Sequence, residues 1–515
     1  MLISDQHEVV SFLASPETHG GETVERIDTH TARVFLAGRR ALKLKRAVRY
    51  DYLDYSTPAR RHAACEAEVR INRRTAPDLY RGVVAVTREP DGGLALGGEG
   101  EPVDWLVEMV RFDQAGLFDR LAARRALPPD LMPPLATAIA RFHREADRRY
   151  DHGGRAGMQW VVDGNADGFA TEGRTILDAE AAAALTRDAR AAVDRLGDRL
   201  DARRRDGFVR QCHGDLHLRN LVLLDGVPTL FDAIEFNDEI ACIDVWYDLA
   251  FLLMDLWQRD LTRHANAVFN QYLGETDDRG GLPLLPLFLS CRAAVRAKTS
   301  AAAAGLAGQA DAARRAMLAI QSRRYLALAR TLLAPSPPRL VAIAGLSGSG
   351  KTTLALGIAA GVGAAPGAVL LRSDELRKRL CGLNPLERLG PDGYAPAVTE
   401  RVYRELRTRA HEALDAGLSV VIDAVYAKPE ERQALEAIAT DAGVPFQGFW
   451  LEAPAEQLMA RVAARTADAS DADAEVVRAQ LARDAGPVAW RHLDASGPAD
   501  TVAARAREVL GMVPR

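Results

Sequence analysis

The chain has 515 residues, a formal net charge of −4, 48% hydrophobic and 26% charged residues. The length predicts two large domains or roughly three ordinary ones, and the composition is that of a globular protein with large cores. The small net charge excludes a global field that recruits nucleic acid or an anionic membrane. The opening "MLISDQHEVVSFLASPE" has neither the basic region nor the apolar core of a secretory signal. The most apolar stretch, "VWYDLAFLLMDLW", is interrupted by Asp248 and Asp255 and is too short to span a bilayer. Cys65, Cys212, Cys242, Cys291 and Cys381 are scattered, odd in number and without CxxC spacing. That excludes a disulfide framework and a zinc site and predicts a reducing, cytoplasmic setting. Of 66 basic residues only six are lysine, at 43, 45, 298, 351, 378 and 428. Arginine supplies the general surface charge, which singles out each lysine for a specific task.

In chain order, the first 110 residues mix strand signals ("ARVFLAG", "ALKLKRAV", "GVVAVT", "DWLVEMV") with one helix, about 58–75. The pattern is then mainly helical, apart from one hairpin in "NLVLLDGVPTLFDAIEF" with Asp-Gly at its turn. Three prolines in "LLAPSPPRL", 332–340, break the helical pattern. Beyond residue 338, "RLVAIAG", "AVLLRS", "SVVIDA" and "FQGFWL" are each followed by a helical stretch, the mark of a parallel sheet covered by helices. The expected domains are 1–333, with lobes of about 1–107 and 108–333, and 339–515.

"CHGDLHLRN", 212–220, has the D-x-x-x-x-N spacing of a phosphoryl-transfer loop in Asp215 and Asn220. The hairpin returns Asp232 to the point where Asn220 began. A carboxamide and a carboxylate are thereby brought together, as a magnesium ion with hard oxygen ligands requires, and Asp215 beside them can accept a hydroxyl proton. This loop, with "LFDAIEF" after it, resembles the aminoglycoside phosphotransferase family, whose fold is protein-kinase-like. The resemblance implies Asp215 as catalytic base, Asn220 and Asp232 as metal ligands, and Asp248 and His213 as structural members of the loop. A kinase lobe also needs a lysine for nucleotide phosphates and a helix carboxylate to place it. Lys43 and Lys45 share one strand face, and Glu66 and Glu68 lie on the following helix; Lys43 with Glu68 is the favoured pair. The hinge between lobes falls in "VEMV", 107–110. No G-x-G-x-x-G precedes Lys43; "IDTHTARVFLAG" stands in its place. Glu235, Asp238, Glu239 and Asp244 follow Asp232 and suit a cationic acceptor as well as they suit solvated helix ends.

"GLSGSGKT", 345–352, fits G-x-x-x-x-G-K-[ST] after a strand and before a helix. Gly345, Ser347, Gly348, Ser349, Gly350 and Thr353 belong to the expected phosphate cradle. Lys351 neutralises the transferred phosphate, and Thr352 can ligate magnesium. "LLRSDELRKRL" puts Ser373, Asp374, Arg377 and Lys378 past the second strand, at the carboxyl edge of the sheet. Asp423 ends another strand in the place of a Walker B-like carboxylate. Arg461 and Arg465, at i and i+4, can clamp a transferring phosphate. This half resembles small P-loop kinases, among them gluconate kinases, polynucleotide 5′-kinases, chloramphenicol phosphotransferases and zeta toxins. The resemblance implies Asp374 as the base that activates the acceptor hydroxyl and a lid helix that carries the arginines. The fold expected for the whole is an α+β protein-kinase-like bilobal domain followed by an α/β P-loop domain with a mainly parallel sheet. The expected activity is an ATP- or GTP-dependent phosphotransferase with Mg²⁺ at both sites, acting on a small hydroxylated molecule such as a sugar or antibiotic. Its rivals are a 5′-end nucleic-acid kinase or zeta-toxin-like kinase in the P-loop half, and a nucleotide-sensing regulator without chemistry in either half.

Overall fold

The computed structural model describes residues 6–50, 52–307, 311–384, 387–464 and 470–512. The chain forms two compact units, Met1–Asp255 with Leu287–Ala329, and Leu256–Pro286 with Arg330–Arg515. Among the described residues, no helix is long and apolar enough to cross a membrane. All five cysteines are unpaired.

In the first unit, β1 (Val24–Asp28), β2 (Ala32–Ala37), β3 (Arg40–Lys45), β4 (Tyr80–Arg88), β5 (Leu94–Leu96) and β6 (Glu101–Val110) build one antiparallel sheet in the order β1-β2-β3-β6-β4-β5. Helix α1 (Pro58–Asn72) starts with Pro58 in its first turn and with Thr57 Oγ1 accepting from Arg60 N at 3.3 Å, both standard helix-opening chemistry. The period of two in β3 sends Leu42 and Leu44 into one apolar cluster, with Phe35 and Leu106. Ala41 joins the opposite cluster with Cys65 and Val69 of α1, and Lys43 and Lys45 share that face. Further on, β7 (Leu221–Leu224) and β8 (Val227–Leu230) pair antiparallel, Leu221 opposite Leu230. Asp225 and Gly226 turn the chain with φ of 48° and 80°, the two positive angles a tight two-residue hairpin needs. Helix α2 (Val245–Gln258) follows.

The second unit contains α3 (Thr262–Thr276), β9 (Leu340–Gly345), α4 (Lys351–Ala359), β10 (Val369–Arg372), α5 (Ser373–Leu380), β11 (Val420–Asp423), β12 (Phe446–Glu452), α6 (Ala455–Ala463), α7 (Ala474–Leu481) and β13 (Arg491–Asp494). Its five strands are all parallel, in the order β10-β11-β9-β12-β13. Four of them are those expected from the sequence. The fifth, β13, buries only Leu493, so it has no apolar run to read.

Residues 256–286 belong with this unit although they precede the proline-rich linker, and an edge strand supplies the reason. Along the outer side of β10, Leu370 N donates to Asn270 Oδ1 at 2.7 Å, and Asn270 Nδ2 donates to Ala368 O at 3.1 Å. Asn266 Nδ2 donates to Ala368 O and Pro366 O at 3.0 and 3.1 Å. Two asparagines of α3 thus stand in for a missing neighbour strand on an edge that would otherwise present unpaired backbone groups. Asn270→Ala is expected to destabilise the second unit by about 1–3 kcal/mol, the cost of orphaning a partly buried donor and acceptor. Asn270→Asp, which keeps only the acceptor, is expected to fall between Asn270→Ala and the parent. Chemical denaturation checks the order; an Asn270→Ala protein as stable as the parent contradicts the edge-pairing account.

Candidate active sites

The first site begins with how the loop 212–220 is held. Asp248, fully buried on α2, accepts from His213 N at 3.1 Å, Gly214 N at 2.9 Å and His143 Nε2 at 3.0 Å. Burial pushes this carboxyl up, but His143, His213 and Arg292 outweigh it and hold it below its ordinary value. Arg292 also donates to Gly214 O at 3.2 Å and lies over the rings of Tyr247 and Phe251. His143, Cys212 and Asp248 form a compact trio of metal-ligand types. The Asp248 carboxylate already takes three N–H donors, and the trio serves as an anchor.

Held in this way, the loop presents Asp215 and Asn220 together. Asn220 Nδ2 donates to Asp215 O at 2.9 Å and to Asp215 Oδ2 at 3.0 Å, and His217 Nε2 lies 3.3 Å from Asp215 Oδ1. Burial raises the Asp215 carboxyl, yet His217, Arg296 and His213 prevail and keep it well below the usual carboxylate range. It is therefore ionised, as a proton acceptor must be. Phe231 N donates to Asn220 O at 3.1 Å, so the hairpin returns Asp232 beside Asn220. Asp232 takes φ of 61°, uncommon for a residue with a side chain.

Both lysines of β3 reach one carboxylate. Glu68, fully buried, receives Lys43 Nζ on Oε1 and Lys45 Nζ on Oε2, each at 2.7 Å. Lys43 continues to Asp232 Oδ1 at 2.5 Å. Lys45 instead pairs with Glu235, whose Oε1 also accepts from Tyr55 OH at 2.6 Å. Glu66 lies on the solvent side against His62. Lys43 is thus the lysine that joins Glu68 to the hairpin carboxylate, and Lys45 closes a buried structural pair. A cleft of about 560 Å³ takes in Lys43, Asp215, Asn220, Asp232, Met109 and Phe112, a volume in the range of small-ligand sites. Where glycines are absent, the β1–β2 turn is held by side chains. Arg46 Nη1 donates to Thr29 O and His30 O at 3.0 and 3.2 Å, and His30 stacks on Tyr50 at 4.5 Å.

The acidic run after Asp232 is not a free anionic surface. Glu235 pairs with Lys45, Asp238 with Arg149, Glu239 with His152, and Asp244 with Arg203. Glu235 and Asp244 are taken up in buried pairs, whereas Asp238 and Glu239 stay exposed and share Arg149 and His152 with Asp151.

The second site lies at the carboxyl edge of the parallel sheet. Asp423 is in register with Ile343 of β9 and Arg372 of β10, so the ends of three strands, the P-loop and the start of α5 share one edge. Gly345 ends β9. A Cβ on Gly348 would come within 2.5 Å of Leu458 O, whereas one on Gly350, at φ of 90°, would meet open space. The first glycine permits close packing against α6 and the second the turn into α4. Ser349 is buried, and its Oγ has no partner among the described residues. That orphan donor fits a phosphate oxygen. Lys351 Nζ donates to Leu346 O at 3.0 Å, and Thr353 is exposed.

Thr352 Oγ1 donates to Asp423 Oδ2 at 2.5 Å. Burial holds Asp423 above its ordinary value, against the opposing effects of Lys351, Arg372 and Thr352; Asp374 adds to the rise. Lys351, Thr352, Asp374 and Asp423 therefore act within one charged neighbourhood. Glu375, next to Asp374, turns to Arg372. Arg461 donates to Ala495 O at 2.9 Å and lies 3.5 Å from Ser496 O, so it fastens α6 to the end of β13. Arg465 lies outside the described residues. A contact not foreseen is Gln480 of α7, whose Oε1 accepts from Ser347 N at 2.8 Å and whose Nε2 donates to Ser347 Oγ at 3.1 Å. A lone glutamine 133 residues downstream carries no motif that would reveal it.

The sequence profile of the phosphotransferase enzyme family matches residues 24–285, and that of an AAA domain matches residues 340–487. The chain belongs to the phosphotransferase enzyme family. It is 31% identical over 493 residues to an uncharacterized protein of Mycobacterium tuberculosis, covering 92% of each chain. Among solved structures, it is similar to a sugar kinase from Janibacter sp. at 25% identity and a TM-score of 0.26, covering 35% of this chain and 97% of that one. It is also similar to an amicoumacin kinase in complex with AMP-PNP, Ca²⁺ and Ami at 15% identity and a TM-score of 0.39, covering 64% of this chain and 96% of that one. The protein is a kinase built from a phosphotransferase half and a P-loop half.

Glu68 is the shared partner of two buried ammonium groups, so Glu68→Ala is expected to destabilise the phosphotransferase half by about 3–5 kcal/mol. Glu68→Gln is expected to cost less. Urea unfolding followed by fluorescence checks this; a Glu68→Ala protein within about 1 kcal/mol of the parent contradicts the assignment.

Proposed function

We propose that each half transfers the γ-phosphoryl group of ATP or GTP to a hydroxyl of a small molecule, with Mg²⁺ at each site. The observation that carries this reading is that each half brings together its own candidate lysine, oxygen ligands and carboxylate. In the phosphotransferase half these are Lys43, Asn220, Asp232 and the ionised Asp215. In the P-loop half they are Lys351, Thr352, Asp423 and Asp374.

The donor chemistry fits magnesium in both halves. Asn220 turns its Nδ2 to Asp215, which leaves Oδ1 as a hard oxygen beside the partly exposed Asp232 carboxylate. Thr352 Oγ1 and Asp423 supply the oxygen pair of the second site. A magnesium ion held by these oxygens would supply positive charge against the charge that develops on the nucleotide phosphates. Lys43 and Lys351 orient and neutralise the phosphates. Asp215 or Asp374 takes the acceptor proton as the acceptor oxygen bonds to Pγ and the Pγ–O bond to the β-phosphate breaks, releasing the nucleoside diphosphate.

The test is release of ADP or GDP by the full chain against a panel of sugars and aminoglycosides. For an acceptor that supports turnover, either Asp215→Asn or Asp374→Asn is expected to lower kcat by about 10²-fold or more, with nucleotide affinity retained. Whichever substitution does so assigns the half responsible. Glu375→Gln, whose native partner is Arg372, is expected to have little effect. Turnover unchanged by both aspartate substitutions contradicts the proposed function.

A further inference from the structure

The φ of 61° at Asp232 costs an L-residue free energy, and a side-chain-bearing residue keeps such a conformation only where its surroundings hold it there. Its carboxylate is 43% exposed, meets Lys43 and lines the cleft with Asn220. One half-open ion pair is a weak restraint, so the backbone on either side has to supply the rest.

That backbone is fastened residue by residue. Phe231 O accepts from His213 Nε2 at 2.9 Å. Asp232 N donates to Tyr80 OH at 3.1 Å, and Ala233 N donates to Asn72 Oδ1 at 2.8 Å. Ile234 N donates to His213 O at 2.9 Å. Glu235 is held by Lys45 and by Tyr55 OH. His213 belongs to the loop 212–220, whereas Asn72 closes α1 and Tyr80 opens β4. Both of the latter are buried, Asn72 at 0% and Tyr80 at 1% exposure.

The carboxamide of Asn72 has only one useful orientation. An N–H can only donate, so the amide oxygen must face Ala233, and Nδ2 is taken up by Glu68 O at 2.9 Å. Glu68 and Asn72 stand four residues apart on one face of α1. The first receives the Lys43 ammonium and the second the N–H that follows Asp232. The phenol oxygen of Tyr80 does the same for Asp232 itself. Without these two acceptors, a pair of adjacent N–H groups is orphaned at the strained residue. Relaxation of φ towards its ordinary range then relieves the strain and moves the carboxylate away from Asn220.

We propose that Tyr80 and Asn72 are positioning residues of the phosphotransferase half: through the N–H groups of Asp232 and Ala233 they hold Asp232 in the left-handed conformation that sets its carboxylate beside Asn220 for Mg²⁺. The inference rests on the reading of Asn220 and Asp232 as magnesium ligands. It adds that α1 and β4 set the metal affinity of this site without supplying a ligand to it.

The test is binding of a non-hydrolysable ATP analogue to the full chain carrying Lys351→Ala, so that the nucleotide site of the phosphotransferase half is read alone. Calorimetry in Mg²⁺ and in EDTA gives two affinities, and their ratio measures what the metal contributes. Asp232→Asn is expected to remove most of that ratio. Tyr80→Phe and Asn72→Ala are each expected to lower it by about tenfold, the scale of one lost hydrogen bond, and to leave the affinity in EDTA within about twofold of the parent. Thermal midpoints establish that the variants are folded. Tyr80→Phe, which removes a single oxygen, decides alone where Asn72→Ala is not.

Equal losses of affinity with and without Mg²⁺ in Tyr80→Phe overturn the proposal, because that is how a residue that merely packs the cleft behaves. So does a parent-like ratio in both Tyr80→Phe and Asn72→Ala where Asp232→Asn has lost it; the reading of Asp232 as a magnesium ligand then stands without the clamp. A ratio unchanged by Asp232→Asn removes that reading itself. Absence of any binding in Lys351→Ala removes the separate site on which both depend.

Discussion

The phosphotransferase half is organised around one buried negative charge. Glu68 has no contact with water and receives an ammonium on each carboxylate oxygen. A carboxylate in that position without partners would cost several kcal/mol, so the strand that carries the lysines and the helix that carries Glu68 must keep their register. Lys43 then extends the pairing to Asp232, and Lys45 extends it to Glu235 and Tyr55. Burial alone would lower both lysines, but the carboxylates more than reverse this and hold them well above their ordinary value. Both remain charged, and Lys43 lines the cleft that also takes in Asp215, Asn220 and Asp232.

The second half solves the same problem with backbone. Its phosphate cradle is a turn between a buried strand and a helix, packed closely enough against Leu458 that Gly348 has no room for a side chain. The strand ends bring Asp423 to Thr352, and the cations around Asp423 only partly offset its burial. Gln480, bonded to both the backbone and the hydroxyl of Ser347, ties α7 to this turn. One half is thus built on a network of charged side chains, and the other on a backbone turn at a helix N-terminus, an arrangement suited to anions.

Much of this was legible in the sequence because it is local. The P-loop, the D-x-x-x-x-N loop and the Asp-Gly hairpin each require particular residues at fixed short spacings. The choice between Glu66 and Glu68 was not, because residues two apart on a helix point to different sides and only tertiary packing decides which side meets the sheet. Asn270 completing a strand edge and Arg296 acting on Asp215 are contacts between residues far apart in the chain. They involve single polar side chains that no periodicity announces. Arg461 has the spacing of a phosphate clamp, and in this structure it donates to a backbone carbonyl near the end of β13.

The central claim is that one chain holds two separate nucleotide-phosphate sites. Calorimetric titration of the full chain with a non-hydrolysable ATP analogue in the presence of Mg²⁺ tests it most directly. The account predicts two sites per chain in the parent and one in Lys351→Ala, with the remaining affinity unaltered. A single site in the parent, or loss of all binding in Lys351→Ala, would contradict it.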